Sequence, residues 1–289
     1  MTIATIDIGG TGIKFASLTP DGKILDKAST ATPETLEELL AWLDQRLSER
    51  DYRGIAMSVP GAVNQETGMI EGISAIPYIH GFSWYEVLAH HQLPIHLEND
   101  ANCVGLSELL AHPEIENAAC VVIGTGIGGA MIINGKLHRG RHGLGGEFGY
   151  MTTIEPAEKL NNWSLLASTG NMVRYVIEKS GQSDWDGRKV YQEAAAGNAL
   201  CQEAIERMNR NLAQGLLNIQ YLIDPDVISL GGSISQNPDF IKGVQKAVDV
   251  FVKKYEEYTI APVIQACTYQ ADANLYGALV NWLQEENQW

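Results

Sequence analysis

The sequence lacks the features that mark a secreted, membrane or nucleic-acid-binding protein. It has only four cysteines, which are far apart and form no CxxC motif, so neither a disulfide framework nor a cysteine metal site is expected. No apolar run approaches the length of a membrane span, and no signal-peptide pattern is present. The net charge of -15 disfavours nonspecific nucleic-acid binding, which needs a basic face. We therefore expect a cytoplasmic protein with no nucleic-acid and no membrane partner.

Two stretches of the chain share one layout of strand, glycine turn, strand and hairpin. In the first, an apolar strand that ends at Ile8 runs into Gly9–Gly12, and another strand follows. In the second, the apolar run 118–123 leads into Gly124–Gly129, and a strand and an Asn134-Gly135 turn follow. The 289 residues are enough for two mid-sized domains. The repeat predicts two similar domains that face each other.

Both glycine turns join two strands. A dinucleotide-binding fingerprint needs a helix after its glycines, and the chain has no GKS or GKT, so neither a Rossmann motif nor a Walker loop is expected. Bare backbone N–H groups in such a turn still allow close approach of a phosphate. Asp7 lies at the tip of the first strand, where it suits a hydrated Mg²⁺ that accompanies phosphates. The alternative is a plain glycine-rich hairpin.

The stretch 94–102 passes from an apolar strand into a cluster of polar residues and then into a helix. A carboxylate at the carboxyl end of a strand lies where open α/β sheets place their ligands. We expect Asp100 to act as a general base that deprotonates a hydroxyl, and Asn99 to hold the same substrate. The alternative is that Asp100 or Asn102 only caps the helix, because both residue types are favoured there.

Three further stretches are predicted to contact ligands. The glycine-dense run 139–149 contains Glu147, which suits a substrate contact, although a solvated turn is the alternative. The loop 72–84 is placed beside the substrate, while its His80 is interpreted as an ordinary loop histidine. Gly231 and Gly232 follow a strand and would let an adenine ring lie against the backbone.

Five stretches together resemble the ROK family of sugar kinases, in that family's order and spacing. They are 7–11, 98–102, 124–129, 145–149 and 224–232. The resemblance implies an α/β, two-domain, actin-like (ribonuclease H-like) fold, with a mixed sheet flanked by helices in each domain and a cleft between them. It also implies ATP-dependent phosphorylation of a hexose hydroxyl, usually the 6-hydroxyl. Relatives are commonly homodimers, so a homodimer is a further expectation.

The resemblance also implies roles for individual residues. Asp100 is the base, and the substrate is held by Asn99, Asp100 and Glu147, with Ser74, Ala75 and Gly61 expected beside it. Mg²⁺–ATP is expected at two glycine turns and at the glycines near the adenosine, through Asp7, Gly9, Gly10, Thr11, Lys14, Gly124, Thr125, Gly126, Gly231 and Gly232. The domains are expected at 1–113 plus 272–289 for sugar and phosphate, and at 114–271 for the nucleotide.

Three departures from the family pattern bear on metal content and substrate. Tyr150 stands where the family commonly has a histidine, and no cysteine lies between Cys120 and Cys201, so we expect no structural zinc. Ser164 replaces a sugar-binding glutamate, and Ala75 replaces an asparagine. A site that lacks a partner for a free anomeric hydroxyl can tolerate a substituent there. The loop Ser74–Phe82 also looks like that of β-glucoside kinases, so the hypothesis is a β-linked glucoside substrate.

Two other functions fit parts of the sequence. A sugar-responsive ROK regulator would need a helix-turn-helix ahead of the first glycine turn, and the first strand here starts at Thr2. A nucleotide-dependent interaction module would bind ATP without a small-molecule acceptor. Sugar-dependent release of ADP distinguishes a kinase from both.

Overall fold

The computed structural model describes residues 1–72, 74–153, 161–254 and 260–289. The strands are β1 (Ile3–Ile8), β2 (Gly12–Leu18), β3 (Ile24–Ala31), β4 (Ile55–Val59), β5 (Ala62–Asn64), β6 (Met69–Glu71), β7 (Ile95–Asn99), β8 (Ala118–Ile123), β9 (Ile127–Ile133), β10 (Lys136–Leu137), β11 (Thr152–Thr153), β12 (Asn161–Asn162), β13 (Val227–Gly231) and β14 (Ile264–Ala266). The α-helices are α1 (Leu36–Ser48), α2 (Trp84–Val87), α3 (Asp100–Ala111), α4 (Trp163–Ala167), α5 (Thr169–Ser180), α6 (Gly187–Ala195), α7 (Ala199–Ile223), α8 (Pro238–Lys254) and α9 (Ala273–Glu285).

Contacts within the chain define two units. The first comprises Met1–Glu114, Arg139–Gly145 and Ala271–Trp289, and the second comprises Ile115–His138 and Gly146–Gln270. The sequence analysis assigned 139–145 to the second domain. The structure places this segment in the first unit because the Arg139 side chain is bonded there to carboxylates of β7 and α9.

Each unit is built on a five-stranded mixed sheet, and the two sheets have corresponding strand orders. The first runs β3-β2-β1-β4-β7 and the second β10-β9-β8-β13-β14. In each, the first strand of the repeat pairs antiparallel with its hairpin neighbour and parallel with a later strand. The strand–glycine turn–strand repeat seen in the sequence is therefore a repeat of sheet topology.

The carboxyl ends of β1, β4 and β7 share one edge of the first sheet. Asp7 pairs in register with Ser58, and Ser58 with Glu98. Adjacent strands are about 4.8 Å apart, so the Cα atoms of Asp7 and Glu98 are separated by roughly 10 Å. The edge brings together segments that lie far apart in the sequence, as ligand sites in open α/β sheets do.

The last helix lies against the strands whose carboxyl ends form this edge. α9 packs against α3 and against β1, β4 and β7, and Leu275, Leu279 and Trp282 are buried there. A Cβ atom at Gly277 would lie 1.7 Å from the carbonyl oxygen of Cys103, so the two helix backbones approach closely.

We expect Gly277→Ala to destabilise the protein by about 3 kcal/mol, at the upper end of the usual cost of overpacking, because the obstacle is backbone. Urea unfolding measures this change. Gly124→Ala is the control, since a Cβ there meets nothing within 4 Å, and it should unfold close to wild type. Equal stability of both variants would contradict the close approach.

Within the described residues, no helix is both long enough and apolar enough to cross a membrane.

Candidate active site

The first turn of α3 is capped by Asn99. Its side-chain Oδ1 accepts hydrogen bonds from the backbone N–H groups of Ala101 at 2.9 Å and Asn102 at 3.2 Å. Its Nδ2 donates to the carbonyl oxygen of Gly61 at 3.0 Å. The sequence had offered Asp100 or Asn102 as the cap, and that alternative is wrong because the helix begins at Asp100. The cap is therefore supplied without the Asp100 carboxylate.

Asp100 is the first residue of α3 and is partly exposed. Its Oδ1 accepts a hydrogen bond from the backbone N–H of Ala101 at 2.8 Å. The positive end of the helix dipole also favours a negative charge at this position. The carboxylate is thus oriented by the helix terminus at the carboxyl edge of the sheet.

Beneath this turn lies Glu98, whose side chain is almost fully buried. Its Oε1 accepts from the backbone N–H of Asn99 at 2.8 Å and from Nδ2 of Asn102 at 2.9 Å. Its Oε2 accepts from Nε of Arg139 at 2.6 Å. One carboxylate therefore ties the end of β7, the first turn of α3 and the segment 139–145 together.

Arg139 completes this network from the other side. Its Nη2 donates to Oδ1 of Asn281 at 2.7 Å and to Oε1 of Glu285 at 3.0 Å, both on α9. Burial alone would lower the pKa of the Arg139 guanidinium, but the carboxylates of Glu98 and then Glu285 outweigh it and raise that pKa. Arg139 is therefore a permanent cation clamped between two parts of the first unit.

The first glycine turn is closed by its own backbone. The N–H of Gly9 donates to the carbonyl of Gly12 at 3.1 Å, and the hydroxyl of Thr32 donates to the carbonyl of Gly9 at 2.6 Å. Gly10 and Thr11 are exposed. A Cβ at Gly10 would lie 3.2 Å from Cβ of Ala75, so this turn and the predicted substrate loop are neighbours.

Asp7 is buried near the end of β1, and its carboxylate is held by the side chains of Lys14 and Asn274. Lys14 Nζ lies 3.1 Å from its Oδ2 and also donates to the carbonyl of Ala271 at 2.6 Å. Nδ2 of Asn274 donates to its Oδ1 at 3.0 Å. Each carboxylate oxygen keeps a second lone pair, which fits contact with a hydrated Mg²⁺ through water rather than a direct ligand cage. Asn274 was missed in the sequence because no motif surrounds it.

The loop after β6 is held by its own polar groups. The ring Nε2 of His80 lies 2.8 Å from Oγ of Ser74, and its Nδ1 lies 3.0 Å from the carbonyl of Ile70. The Ser74 oxygen also accepts from the backbone N–H of Ile76 at 3.2 Å. The structure thus gives Ser74 and His80 a role in shaping the loop, whereas Ala75 is exposed.

Gly61 has φ +106, a conformation that L side chains rarely adopt, and a Cβ there would lie 2.9 Å from the carbonyl oxygen of Glu71. Glycine is needed at this position so that its carbonyl can accept the bond from Asn99.

In the second unit, the turn Gly124–Gly126 lies at the start of α5. The N–H of Gly124 donates to the carbonyl of Gly126 at 2.9 Å, and the N–H of Gly170 donates to the carbonyl of Gly124 at 3.1 Å. Thr125 and Gly126 are exposed. Glycine-turn amides beside the positive end of a helix form a site suited to phosphate.

A cavity of about 630 Å³ lies at the same end of the second unit. Its lining residues come from the N-termini of α5 and α6 and from the segment after β13: Thr169, Asp186, Gly187, Arg188, Tyr191, Ser233, Ile234, Gln236 and Asn237. The hydroxyl oxygens of Thr169 and Tyr191 are buried, and neither has a hydrogen-bond partner among the described residues. Burial raises the pKa of Tyr191, so its hydroxyl stays a donor.

The glycines predicted to contact adenosine lead directly into this cavity. Gly232 has φ +88, and a Cβ there would lie 2.2 Å from the carbonyl oxygen of Ile123, which brings the ends of β13 and β8 together. Thr169 and Tyr191 were not found in the sequence, because each lies in an ordinary helical pattern. The cavity adds these two hydroxyls to the predicted glycines.

Glu147 lies in the second unit, directly after Gly146, and is partly buried. Desolvation by burial raises the pKa of its carboxyl group. Within the described residues, its carboxylate has no hydrogen bond or ion pair. A carboxylate that loses water without gaining a protein partner suits a ligand that supplies hydroxyl donors.

Ser164 is occupied by the backbone. Its Oγ accepts from the N–H of Ile127 at 2.9 Å and lies 3.3 Å from the carbonyl of the same residue. It thus fixes α4 to β9. Tyr150, at the position of the family histidine, is 73% exposed. Residues 154–160 lie outside the described residues, and the absence of the family zinc stays a prediction.

The chain is similar to known proteins along nearly its whole length. The ROK family model matches residues 3–285. A β-glucoside kinase of Listeria monocytogenes serovar 1/2a is 35% identical over 100% of this chain and 99% of its own, and a glucokinase of Halalkalibacterium halodurans is 28% identical over 98% and 95%. A ROK family protein from Streptococcus pneumoniae TIGR4, solved in complex with sucrose, is 88% identical with a TM-score of 0.98, each chain being covered to 100%.

The chain belongs to the ROK family. The curated relatives named above are carbohydrate kinases that match this chain from end to end. The predictions of this family and of an α/β fold with mixed sheets flanked by helices are thereby confirmed.

Proposed function

We propose that this carbohydrate kinase of the ROK family transfers the γ-phosphoryl group of ATP to the 6-hydroxyl of the non-reducing glucose in a β-linked glucoside. The observation that carries the catalytic part is the placement of Asp100. Its carboxylate lies at the carboxyl edge of the first sheet, while Asn99 takes the capping role that would otherwise explain an acidic residue there.

In the proposed mechanism, Asp100 accepts the hydroxyl proton while the hydroxyl oxygen attacks the γ-phosphorus and ADP leaves. General-base assistance of this kind contributes on the order of 10²- to 10⁴-fold. Asn99 and Glu147 orient the sugar: Asn99 through the remaining N–H of its amide, and Glu147 by accepting from sugar hydroxyls. Orientation of the reacting oxygen supplies much of the remaining rate.

The nucleotide is assigned to the glycine turns and the cavity of the second unit. The exposed residues Thr125 and Gly126, in the glycine turn beside the start of α5, suit the phosphates, and the Thr169 and Tyr191 hydroxyls suit polar atoms of the nucleoside. Gly9–Thr11 and Lys14 are assigned to the transferred phosphoryl group. Asp7 would hold Mg²⁺ through water, and the ion would neutralise phosphate charge.

The substrate class rests on what the sugar contacts lack. Ala75 carries no polar side-chain atom, and the Ser164 hydroxyl is bonded to Ile127. A sugar whose anomeric oxygen already carries a substituent has no free anomeric hydroxyl, so it loses no hydrogen bond at such positions. The name of the 35% identical relative, a β-glucoside kinase, supports this assignment. The sucrose bound by the 88% identical protein has an α-linked glucose, so it supports a substituted anomeric oxygen and not the β-linkage.

A coupled assay of ADP release over matched acceptors tests the proposal. We expect kcat/KM for cellobiose to exceed that for glucose by at least about tenfold, the low end of what one pocket contact discriminates. Methyl β-glucoside and sucrose separate the effect of the β-linkage from that of any anomeric substituent. A preference for free glucose would overturn the substrate class, and ADP release that no sugar stimulates would overturn kinase activity.

The Glu147 carboxylate provides a prediction that depends on pH. Glu147→Gln should raise KM for the sugar by roughly tenfold, because a hydrogen bond to a charged group is lost. Burial raises the pKa of Glu147, so the wild-type carboxylate protonates at a higher pH than an ordinary glutamate. Sugar affinity of the wild type should therefore weaken as pH falls through that pKa, whereas the Gln variant should show a flat profile.

The same raised pKa fixes the sign of the effect on stability. A carboxyl group whose pKa is higher in the folded protein than in the unfolded chain lowers the free energy of unfolding at pH values above its folded pKa. This loss shrinks as the pH falls through the folded pKa. Glu147→Gln should thus be no less stable than wild type at neutral pH. Glu178→Gln, an exposed change on α5, is the control for both measurements. A large loss of stability with unchanged KM would assign Glu147 a structural role.

A further inference from the structure

A cluster of potential metal ligands lies in the first unit, on residues to which the proposed kinase mechanism gives no role. Asp44 comes from α1, and His90 and His91 come from the 3-10 turn Ala89–His91. One ligand atom from each of the three lies within 4.8 Å of the others. The site is at the surface: the His91 side chain is 16% exposed and that of His90 56%.

The ligand atoms of the cluster lie close enough together to share one ion. Oδ1 of Asp44 lies 3.1 Å from Nε2 of His90 and 2.8 Å from Nε2 of His91. In a tetrahedral zinc site, bonds of about 2.0–2.1 Å place neighbouring ligand atoms about 3.3 Å apart. The two imidazole rings are 4.1 Å apart between centroids and tilted by 39°, so both Nε2 atoms point to the same carboxylate. Small side-chain shifts would admit an ion.

His90 supplies an independent observation. Its Nδ1 lies 3.1 Å from the carbonyl oxygen of Val87, and its Nε2 faces the Asp44 carboxylate. Both neighbours are acceptors, whereas a neutral imidazole carries only one N–H. If Nδ1–H donates to Val87, the lone pair of Nε2 points toward a carboxylate. A cation between these two groups resolves the conflict, and a backbone carbonyl on the other ring nitrogen is the usual second-shell partner of a metal-bound histidine.

We propose that Asp44, His90 and His91 form a binding site for a divalent transition-metal ion of the Zn²⁺ type. Two imidazoles and one carboxylate favour Zn²⁺, Ni²⁺ or Cu²⁺ over Mg²⁺ and Ca²⁺, which prefer oxygen ligands. Three protein ligands leave one position for water, as in open zinc sites. The ion would join α1 to the turn before β7. This site is separate from the family zinc position at Tyr150, and it does not rest on the proposed kinase function.

Titration calorimetry with ZnCl₂ on the chelator-treated full chain tests the site. We expect one Zn²⁺ per chain and an upward shift in melting temperature with Zn²⁺ but not with Mg²⁺. His91→Ala and Asp44→Asn should each weaken Zn²⁺ binding by at least about tenfold, since even second-shell changes cost that much. His138→Ala, which removes an exposed histidine of the second unit, should leave binding unchanged.

Two outcomes would overturn the proposal. If the wild type binds no stoichiometric Zn²⁺, the cluster is a hydrogen-bonded group of side chains and not a metal site. If both ligand variants bind Zn²⁺ as tightly as wild type, the ion lies elsewhere. Melting curves without metal show whether each variant is folded, and because the two substitutions lie on different elements, one misfolded variant still leaves the other as a test.

Discussion

Asp100→Asn is expected to lower kcat for sugar phosphorylation by about 10³-fold or more, within the range that general-base catalysis supplies. The amide retains the size of the carboxylate but cannot take the hydroxyl proton. Folding should be nearly unchanged, because Asn99 caps α3 and losing the favourable charge at the helix N-terminus costs about 0.3–1 kcal/mol. Coupled ADP release at saturating sugar measures the rate, and thermal unfolding measures the fold.

Asp239→Asn is the matched control for this experiment. Asp239 is an exposed aspartate in the first turn of α8, so the same substitution is made at another helix terminus. It should lose the same small amount of stability and no activity. An Asp100→Asn enzyme that turns over at near wild-type rate would remove the general base from the proposal, whereas parallel losses of activity and folding would make Asp100 a structural residue.

Arg139→Met is expected to cost about 3 kcal/mol of stability and a large part of the activity. The substitution leaves Glu98 without the cation that compensates its charge, and uncompensated charges of broken buried pairs cost about 3–5 kcal/mol. Because Arg139 is itself partly exposed, we expect a loss of stability at the low end of this range. Glu98 also holds Asn99 and Asn102, so the first turn of α3 and with it Asp100 should lose their fixed position.

Two comparisons separate the charge network from a general effect of the loop. Arg141→Met changes an exposed arginine two residues away and should be close to neutral. Adding Glu98→Gln to Arg139→Met should recover part of the lost stability, because the buried charge disappears with its partner. Urea unfolding of the wild type, Arg139→Met, Glu98→Gln and the double variant gives the coupling energy. Additive losses in the double variant would show that Glu98 and Arg139 act independently.

The sequence predicted the framework of the fold because that framework is local. The repeated strand, glycine turn and strand are contiguous in the chain, and each glycine turn is closed by bonds within its own residues. Asp100 and Glu147 could be proposed because each follows a recognisable pattern of strand or glycines. Helix α7 is equally readable from the sequence, because its apolar residues repeat at helical spacing over many turns.

The contacts that hold the candidate site were not predictable, because they join distant residues. Arg139 and Glu98 are 41 positions apart, and Asn274 reaches Asp7 from α9 across 267 positions. Neither pair has a spacing that signals contact. The capping role of Asn99 was missed for a different reason: the three polar residues within 99–102 offer several equally favourable helix starts.

The position of α9 has a consequence for how the chain folds as it is synthesised. The second unit is complete once Gln270 has been made, whereas the first still lacks the helix whose Gly277 rests on the Cys103 carbonyl. Domains fold as units during translation, generally from the N-terminus. Here the order is reversed: the later half can finish first, while the earlier half keeps an uncovered apolar surface until α9 has emerged from the ribosome. The nascent chain is then most exposed to aggregation in its oldest part.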